Sequence, residues 1–278
     1  MFKTILVHVD ETARSLHRID VAARLANQYD AHLVGAAMTG LSAYMLPVGD
    51  LQDGMPPIAF PVEQLRAQAN RALDLFDTAA AQSGVAAFER RLVDEEAGLG
   101  VSLQARYSDL VIISQTAPDE FLPRLRSDFP EYVLLNCARP VLILPFTGVE
   151  GGIGQRVTVA WNGSAEAVRA ITSAIPVLQR AEKVDLVVFD AGAKGSLHGE
   201  DPGADMALYL ARHAIKVEVT ASQASGGEGE PLLSFAADRG ADLIVMGAFG
   251  HSRFREFLLG GMSRTVLSSS PVALWMSH

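Results

Sequence analysis

Two long segments of the chain read alike. "KTILVHVDETARSLHRIDVAARLANQYDAHLVGAAM" and "QRVTVAWNGSAEAVRAITSAIPVLQRAEKVDLVVFDA" each start with an apolar run ending in Asp10 or Asn162. Each then passes through an alanine-rich helical pattern into a second apolar run. The later parts correspond too: "GLGVSLQARYSDLVIISQ" with "EPLLSFAADRGADLIVMG", and "ARPVLILP" with "SSPVALWM". Whatever one half folds into, the other half is expected to fold into again. At 278 residues the chain has room for two domains of ordinary size.

The offsets locate the differences. Asp10 and Asn162 are 152 residues apart, whereas Asp109 and Asp242 are 133 apart, so the first copy is 19 residues longer in between. The extra length falls in "GLSAYMLPVGDLQDGMPPIAFP", residues 40–61, a Gly- and Pro-rich loop that also carries Tyr44, Met45, Leu46, Met55, Ile58 and Phe60. Apolar groups in so long a loop are expected to pack, either as a cap on their own domain or against a partner. Between the copies, "PFTGVEGGIGQ" is glycine-rich and aperiodic. The domains are therefore drawn as 1–146 and 156–278.

Within each copy, strand-like and helix-like runs alternate. Strands are expected near 3–9, 32–38, 87–93, 109–114 and 140–145, and again near 156–161, 184–189, 216–221, 242–246 and 271–276. Runs such as "LVIIS" and "LIVMG" are apolar at nearly every position, as in a strand buried on both faces. Alternating β and α elements predict an α/β fold, with two tandem doubly wound five-stranded parallel sheets.

A net charge of −9 argues against broad nucleic-acid or anionic-membrane binding. No apolar run reaches the roughly 20 residues that span a bilayer. The start, "MFKTILVHVD", enters a strand without a signal-peptide pattern. The single cysteine, Cys137, fits a reducing compartment, and its neighbours suggest the apolar side of a helix. A cytoplasmic location is expected.

The two copies differ most after their fourth strand. The second reads "VMGAFGHSRFREFLLGGMSRTVL", with Gly247, Gly250, Gly260 and Gly261 between a buried strand and a helical run. Glycines there let backbone N–H groups approach a ligand, and a helix N-terminus adds donors and partial positive charge. Ser263 adds a hydroxyl. The pattern is neither the Rossmann G-x-G-x-x-G nor the Walker motif. Its spacing, Gly247-x2-Gly250-x9-Gly260 after "VMG", resembles the ATP-binding signature of the universal stress protein family, and the likeness runs through the whole chain as two tandem copies.

That resemblance implies a strand order of 3-2-1-4-5 and an adenine-nucleotide site, for ATP or a relative with or without Mg, where the order reverses. It places Asn162 against the adenosine part, with Gly163 completing the turn and Ser164 also an N-cap. Phe189 would meet the adenine through its backbone. Met246, Gly247, Gly250, Gly260, Gly261, Met262 and Ser263 would line the ribose and phosphates. Asn162 stands where nucleotide-binding members carry Asp, and Gly261 where they carry Ser or Thr. The first change loses a charge and the second a hydroxyl. The resemblance also implies that "PVLILP" and "PVALWM" pair across an internal pseudo-dimer, and it is compatible with a homodimer.

The first copy keeps Asp10 but not the glycines. "SQTAPDEFLPRLRSDFPEY" brings Pro118, Pro123 and Pro130, which lack N–H donors, and Asp119, Glu120, Asp128 and Glu131, which repel phosphate. This copy is expected to be structural, or to hold something other than ATP. No histidine, cysteine or carboxylate pattern marks a metal site or a catalytic base. His8 reads as a buried strand residue, His251 as a loop residue, and Asp94-Glu95-Glu96 as helix N-terminal charge. Binding without efficient turnover is the preferred expectation. Slow ATP hydrolysis or nucleotidyl transfer, and a nucleotide-free interaction module, remain the alternatives.

Overall fold

The computed structural model describes residues 1–41, 62–116, 128–149, 151–189, 203–222, 229–250 and 261–278. Most of the 40–61 loop and of the 115–131 segment, together with Gly260, His251, Arg253 and Arg255, lies outside the described residues. The first repeat contains β1 (Thr4–Val9), α1 (Ala13–Tyr29), β2 (His32–Met38), α2 (Val62–Gln82), β3 (Phe88–Val93), α3 (Ala97–Gln104), β4 (Leu110–Ser114), α4 (Phe129–Asn136) and β5 (Val141–Leu144). The second contains β6 (Arg156–Trp161), α5 (Ala165–Leu178), β7 (Lys183–Val188), α6 (Ala204–Arg212), β8 (Val217–Ala221), α7 (Glu230–Asp238), β9 (Leu243–Gly247), α8 (Met262–Ser269) and β10 (Ala273–Ser277). Each sequence-expected strand is present within two residues of its place.

The chain forms two compact units. One gathers Phe2–Ile112 and the α4 region, and the other gathers Ile113–Thr116 and Ala138–His278. In the first, β3-β2-β1-β4 run parallel. In the second, β10-β9-β6-β7-β8 run parallel, which is the order 3-2-1-4-5 of the second repeat's own strands. That unit also contains β5, which pairs antiparallel with β10 in the register Val141↔Met276, Leu142↔Trp275 and Ile143↔Leu274. Gln115 holds this corner. Its backbone N–H donates to the Leu144 carbonyl at 2.9 Å, its Nε2 donates to the Ser270 carbonyl, and its Oε1 accepts from Phe146 N–H.

The apolar runs become central strands because both their faces are covered. Leu110, Ile112, Ile113, Leu243, Ile244 and Val245 are fully buried. Each contributes about 1.5–3 kcal/mol relative to an exposed position. Helix α1 turns Ile19, Ala22, Ala23 and Ala26 inward. It stops at Asp30, whose left-handed φ of 51° lets its N–H return to the Ala26 carbonyl. In the second unit, buried Trp275 donates its indole N–H to Ser173 Oγ at 3.0 Å, tying β10 to α5. Cys137 is buried, as the sequence suggests, but it lies just past the end of α4 rather than on the helix.

Asp109 and Asp242, the residues that mark the later offset, do the same work. Asp109 Oδ2 accepts from the N–H groups of Lys3 (2.7 Å) and Thr4 (3.0 Å). Asp242 accepts from those of Gly154 (2.6 Å), Gln155 and Arg156 (both 3.0 Å). Each carboxylate thus satisfies donors at the start of the neighbouring strand. Burial raises the Asp242 carboxyl above the ordinary aspartate range, against the pull of these backbone bonds.

Candidate functional site

In the second unit the strand order reverses between β6 and β9, whose parallel register is Val157↔Leu243, Thr158↔Ile244 and Val159↔Val245. Ligands in open α/β sheets bind beyond the carboxyl ends of the strands at such a point. Asn162 follows β6 there. Its Oδ1 accepts from Ser164 N–H at 3.1 Å, and Gly163 between them takes a φ of +74°. Ser164 is the N-cap of α5, its Oγ accepting from Ala167 N–H at 3.1 Å. The turn therefore aims the N-terminus of α5 at the reversal point.

Gly247 ends β9 directly beneath that helix. A Cβ at this position would lie 2.5 Å from Ala167 N and 2.7 Å from Glu166 C, closer than real side chains approach backbone. The glycine is thus required for α5 to rest on β9, whatever binds above it. Gly250 is more open, with a Cβ 3.4 Å from Glu166 Oε2 and 3.8 Å from Ser164 Cβ. Between them Phe249 takes a left-handed φ of 51°, and its N–H donates to Ser263 Oγ at 3.1 Å. Ser263 is buried in the first turn of α8, where Gly261 is the N-cap. Its hydroxyl accepts from the chain and keeps a proton to donate elsewhere.

The structure therefore brings Asn162, Gly163, Gly247 and Gly250 around the α5 N-terminus, with Gly261 and Ser263 tied in through Phe249. Phe189 follows the adjacent strand β7 and is buried. Met246 is a buried β9 residue in register with Met276, so its side chain belongs to the sheet core. Met262, half-buried, opens α8. Gly260 lies outside the described residues.

Sequence reasoning missed an acidic element. Glu166, in the first turn of α5, has a side chain only 10% exposed and turns its carboxylate toward Gly250. Arg169 holds its Oε1 at 2.9 Å, while Arg169 Nε donates to the His278 carbonyl at 3.0 Å. The His278 ring closes the circuit, its Nδ1 lying 3.0 Å from the Ala248 carbonyl. An acidic residue two after the N-cap was visible in the sequence, but its inward rotamer was not.

The equivalent turn of the first repeat is built differently. Asp10 Oδ1 accepts from both Thr12 N–H (3.0 Å) and Thr12 Oγ1 (2.5 Å), and its Oδ2 accepts from Arg18 Nη2 at 2.9 Å. Arg18 is buried, its Nε donating to the His8 carbonyl at 2.5 Å. Burial alone would raise the Asp10 carboxyl. The Arg18 guanidinium and the Thr12 bonds outweigh it and hold Asp10 well below the usual carboxylate range. His8, packed 5.1 Å from the Phe129 ring, has its pKa lowered by burial to about 4 and is neutral at pH 7. Glu96, from the acidic run expected at a helix start, does cap α3, accepting from Gly98 and Leu99 N–H.

Among the described residues there is no cluster of three His, Cys, Asp or Glu able to hold a metal, and no helix long and apolar enough to cross a membrane. The model of the Universal stress protein family matches residues 154–278. Across 99% of this chain the fold is similar to a universal stress protein from Archaeoglobus fulgidus DSM 4304, with a TM-score of 0.74, 18% identity and 97% of that chain covered. A putative universal stress protein from Pseudomonas aeruginosa UCBPP-PA14 is similar over the same 99%, with a TM-score of 0.61, 13% identity and 93% of that chain covered. No curated protein matches the chain significantly. The family match thus rests on residues 154–278, the second repeat, while the likeness over the rest of the chain is one of fold.

Proposed function

We propose that the second repeat, residues 156–278, binds an adenine nucleotide, and that the protein serves in stress response as a nucleotide-dependent binding and regulatory protein rather than an efficient enzyme. The observation that supports this reading is the convergence of the Asn162–Ser164 turn, the α5 N-terminus and the Gly247–Gly250 segment at the reversal point between β6 and β9. In it, Asn162 and the backbone at Phe189 meet the adenosine part, and N–H groups of the glycine segment and of the α8 start face the phosphates. Asn162 Oδ1 is already engaged by Ser164 N–H, so the side chain is pre-set to present its amide group. Glu166 sets a limit. Its carboxylate beside Gly250 opposes phosphate charge, and the ion pair with Arg169 offsets only part of that.

The test is to denature the purified chain, identify any released small molecule, and titrate the emptied protein with ATP, ADP and AMP by calorimetry. An adenine nucleotide among the released molecules, with binding heat that disappears in Gly250→Asp, supports the reading. No released nucleotide and no heat with any of the three would sink it. Product accumulating with time in the wild type but not in Gly250→Asp would instead make the protein an enzyme.

A further inference from the structure

A cavity of about 270 Å³ opens at the carboxyl ends of β1 and β2 in the first unit. Helix α2 gives it Leu65, Ala69 and Ala72, and the strand ends add Val9 and Met38. These surfaces are apolar and small, which is why the space is there. Its polar end is formed by His8, Asp10, Glu11 and Thr12.

The charges at that end are matched within the protein. Asp10 is bound by the buried Arg18 and doubly by Thr12. Arg71 reaches Glu11 through Nε at 2.9 Å and Nη2 at 2.8 Å, both contacts ending on Oε1. The polar end therefore carries two carboxylates balanced by two guanidinium groups. Its surface is rich in acceptors and carries no excess charge. A charged ligand entering would lose hydration without meeting an uncommitted counter-charge. A neutral one would gain apolar contact and find carboxylate oxygens to accept a hydrogen bond.

We propose that this cavity holds an uncharged, mainly apolar small molecule of about bicyclic size, with a hydrogen-bond donor directed at the Asp10–Glu11 end. The volume lies just below the usual range of small-molecule pockets, about 300–1,000 Å³, so a single compact ring system suits it better than a whole nucleotide. The proposal stands independently of nucleotide binding in the second repeat.

The experiment uses the full chain and two fluorescent probes with a shared skeleton. 1-Naphthylamine is neutral, bicyclic and carries an N–H donor. 1-Naphthylamine-5-sulfonate adds a fixed negative charge. The neutral probe is expected to bind saturably at one equivalent, and the sulfonate at least about tenfold more weakly. Gln68→Trp at the rim and Ala69→Phe in the wall fill the space, and each is expected to weaken the neutral probe by at least about tenfold. Circular dichroism confirms that the variants are folded. Gln68 is half-buried and provides the variant better tolerated by the core. Equal affinity for the two probes overturns the proposal. So does unchanged neutral-probe binding in both folded variants, displacement of that probe by ATP, or no saturable binding at all.

Discussion

The strand–helix turns after β1 and β6 sit at matching places in the two repeats and solve the same problem in opposite ways. At the shared offset of 152 residues, His8, Asp10 and Arg18 become Ala160, Asn162 and Ala170. The first repeat buries an ion pair beside a neutral imidazole, and the second has a neutral amide flanked by alanines. The changes go together: an Asp beneath α1 needs a cation, and an Asn beneath α5 does not. The strands that follow diverge in the same sense. Gly247 ends β9 where Ser114 ends β4, and α5 packs on β9 whereas α1 packs chiefly on β1, α2 and β2. The first turn is closed by its own charges, and the second by neutral caps, Asn162 on Ser164 N–H and Ser164 on Ala167 N–H. Both turns stand on the same strand neighbours, β1 beside β2 and β4, and β6 beside β7 and β9.

The sharpest way to break this comparison is to remove the cation. Arg18→Met is expected to destabilise the first unit by about 3 kcal/mol, the low end for a broken buried pair because the Asp10 side chain keeps 23% exposure. Adding Asp10→Asn, which imitates the second repeat, is expected to restore most of the loss. Urea unfolding of the single and double variants measures both, and a double variant no more stable than the single would show that the ion pair is not the reason for Arg18.

Acid probes the same network. The unfolded histidine titrates near 6.5 and His8 near 4, so between these values the unfolded chain binds the extra proton. Stability is therefore full above about pH 6.5 and falls by about 3 kcal/mol toward pH 4. In His8→Asn that part of the slope should vanish, as read from chemical unfolding across pH 4–7. An unchanged slope would place the proton elsewhere.

At Gly247 the comparison becomes steric. Gly247→Ala is expected to cost about 1–3 kcal/mol, since its methyl would strike the α5 backbone. The reverse glycine, Ser114→Gly, should cost less than about 1 kcal/mol. Equal effects would mean that the glycine serves the ligand alone. The last expected change is in affinity rather than stability. Glu166→Gln removes the carboxylate beside Gly250 and should tighten ATP by about tenfold or less, worth up to about 1.4 kcal/mol, with a smaller gain for AMP. A loss of affinity would show that Glu166 helps to hold the ligand.

Much of this was legible in the sequence. Strand positions were readable because doubly buried strands need continuous apolar runs, and Asp109 and Asp242 were visible as matched residues before their backbone contacts were known. Asn162, Gly163, Ser164, Gly247 and Gly250 gather at the reversal point between β6 and β9. The burial of Arg18 and the inward turn of Glu166 were not readable, because a charged helix residue normally faces water. Only comparing Arg18 with Ala170 hints that the position is internal. Nor does a serine in a glycine-rich segment disclose that its hydroxyl will anchor Phe249 N–H.

The pairing of β5 with β10 has one more consequence. The sequence repeats at about residue 150, but the second compact unit starts earlier and includes Val141–Leu144. A fragment cut at the repeat boundary, carrying 156–278 alone, would leave the β10 backbone bare along Leu274–Met276, an adhesive border ready to capture another copy. A fragment starting before Ala138 would retain its own cover. The boundary between the sequence repeats and the boundary between the compact units are different places.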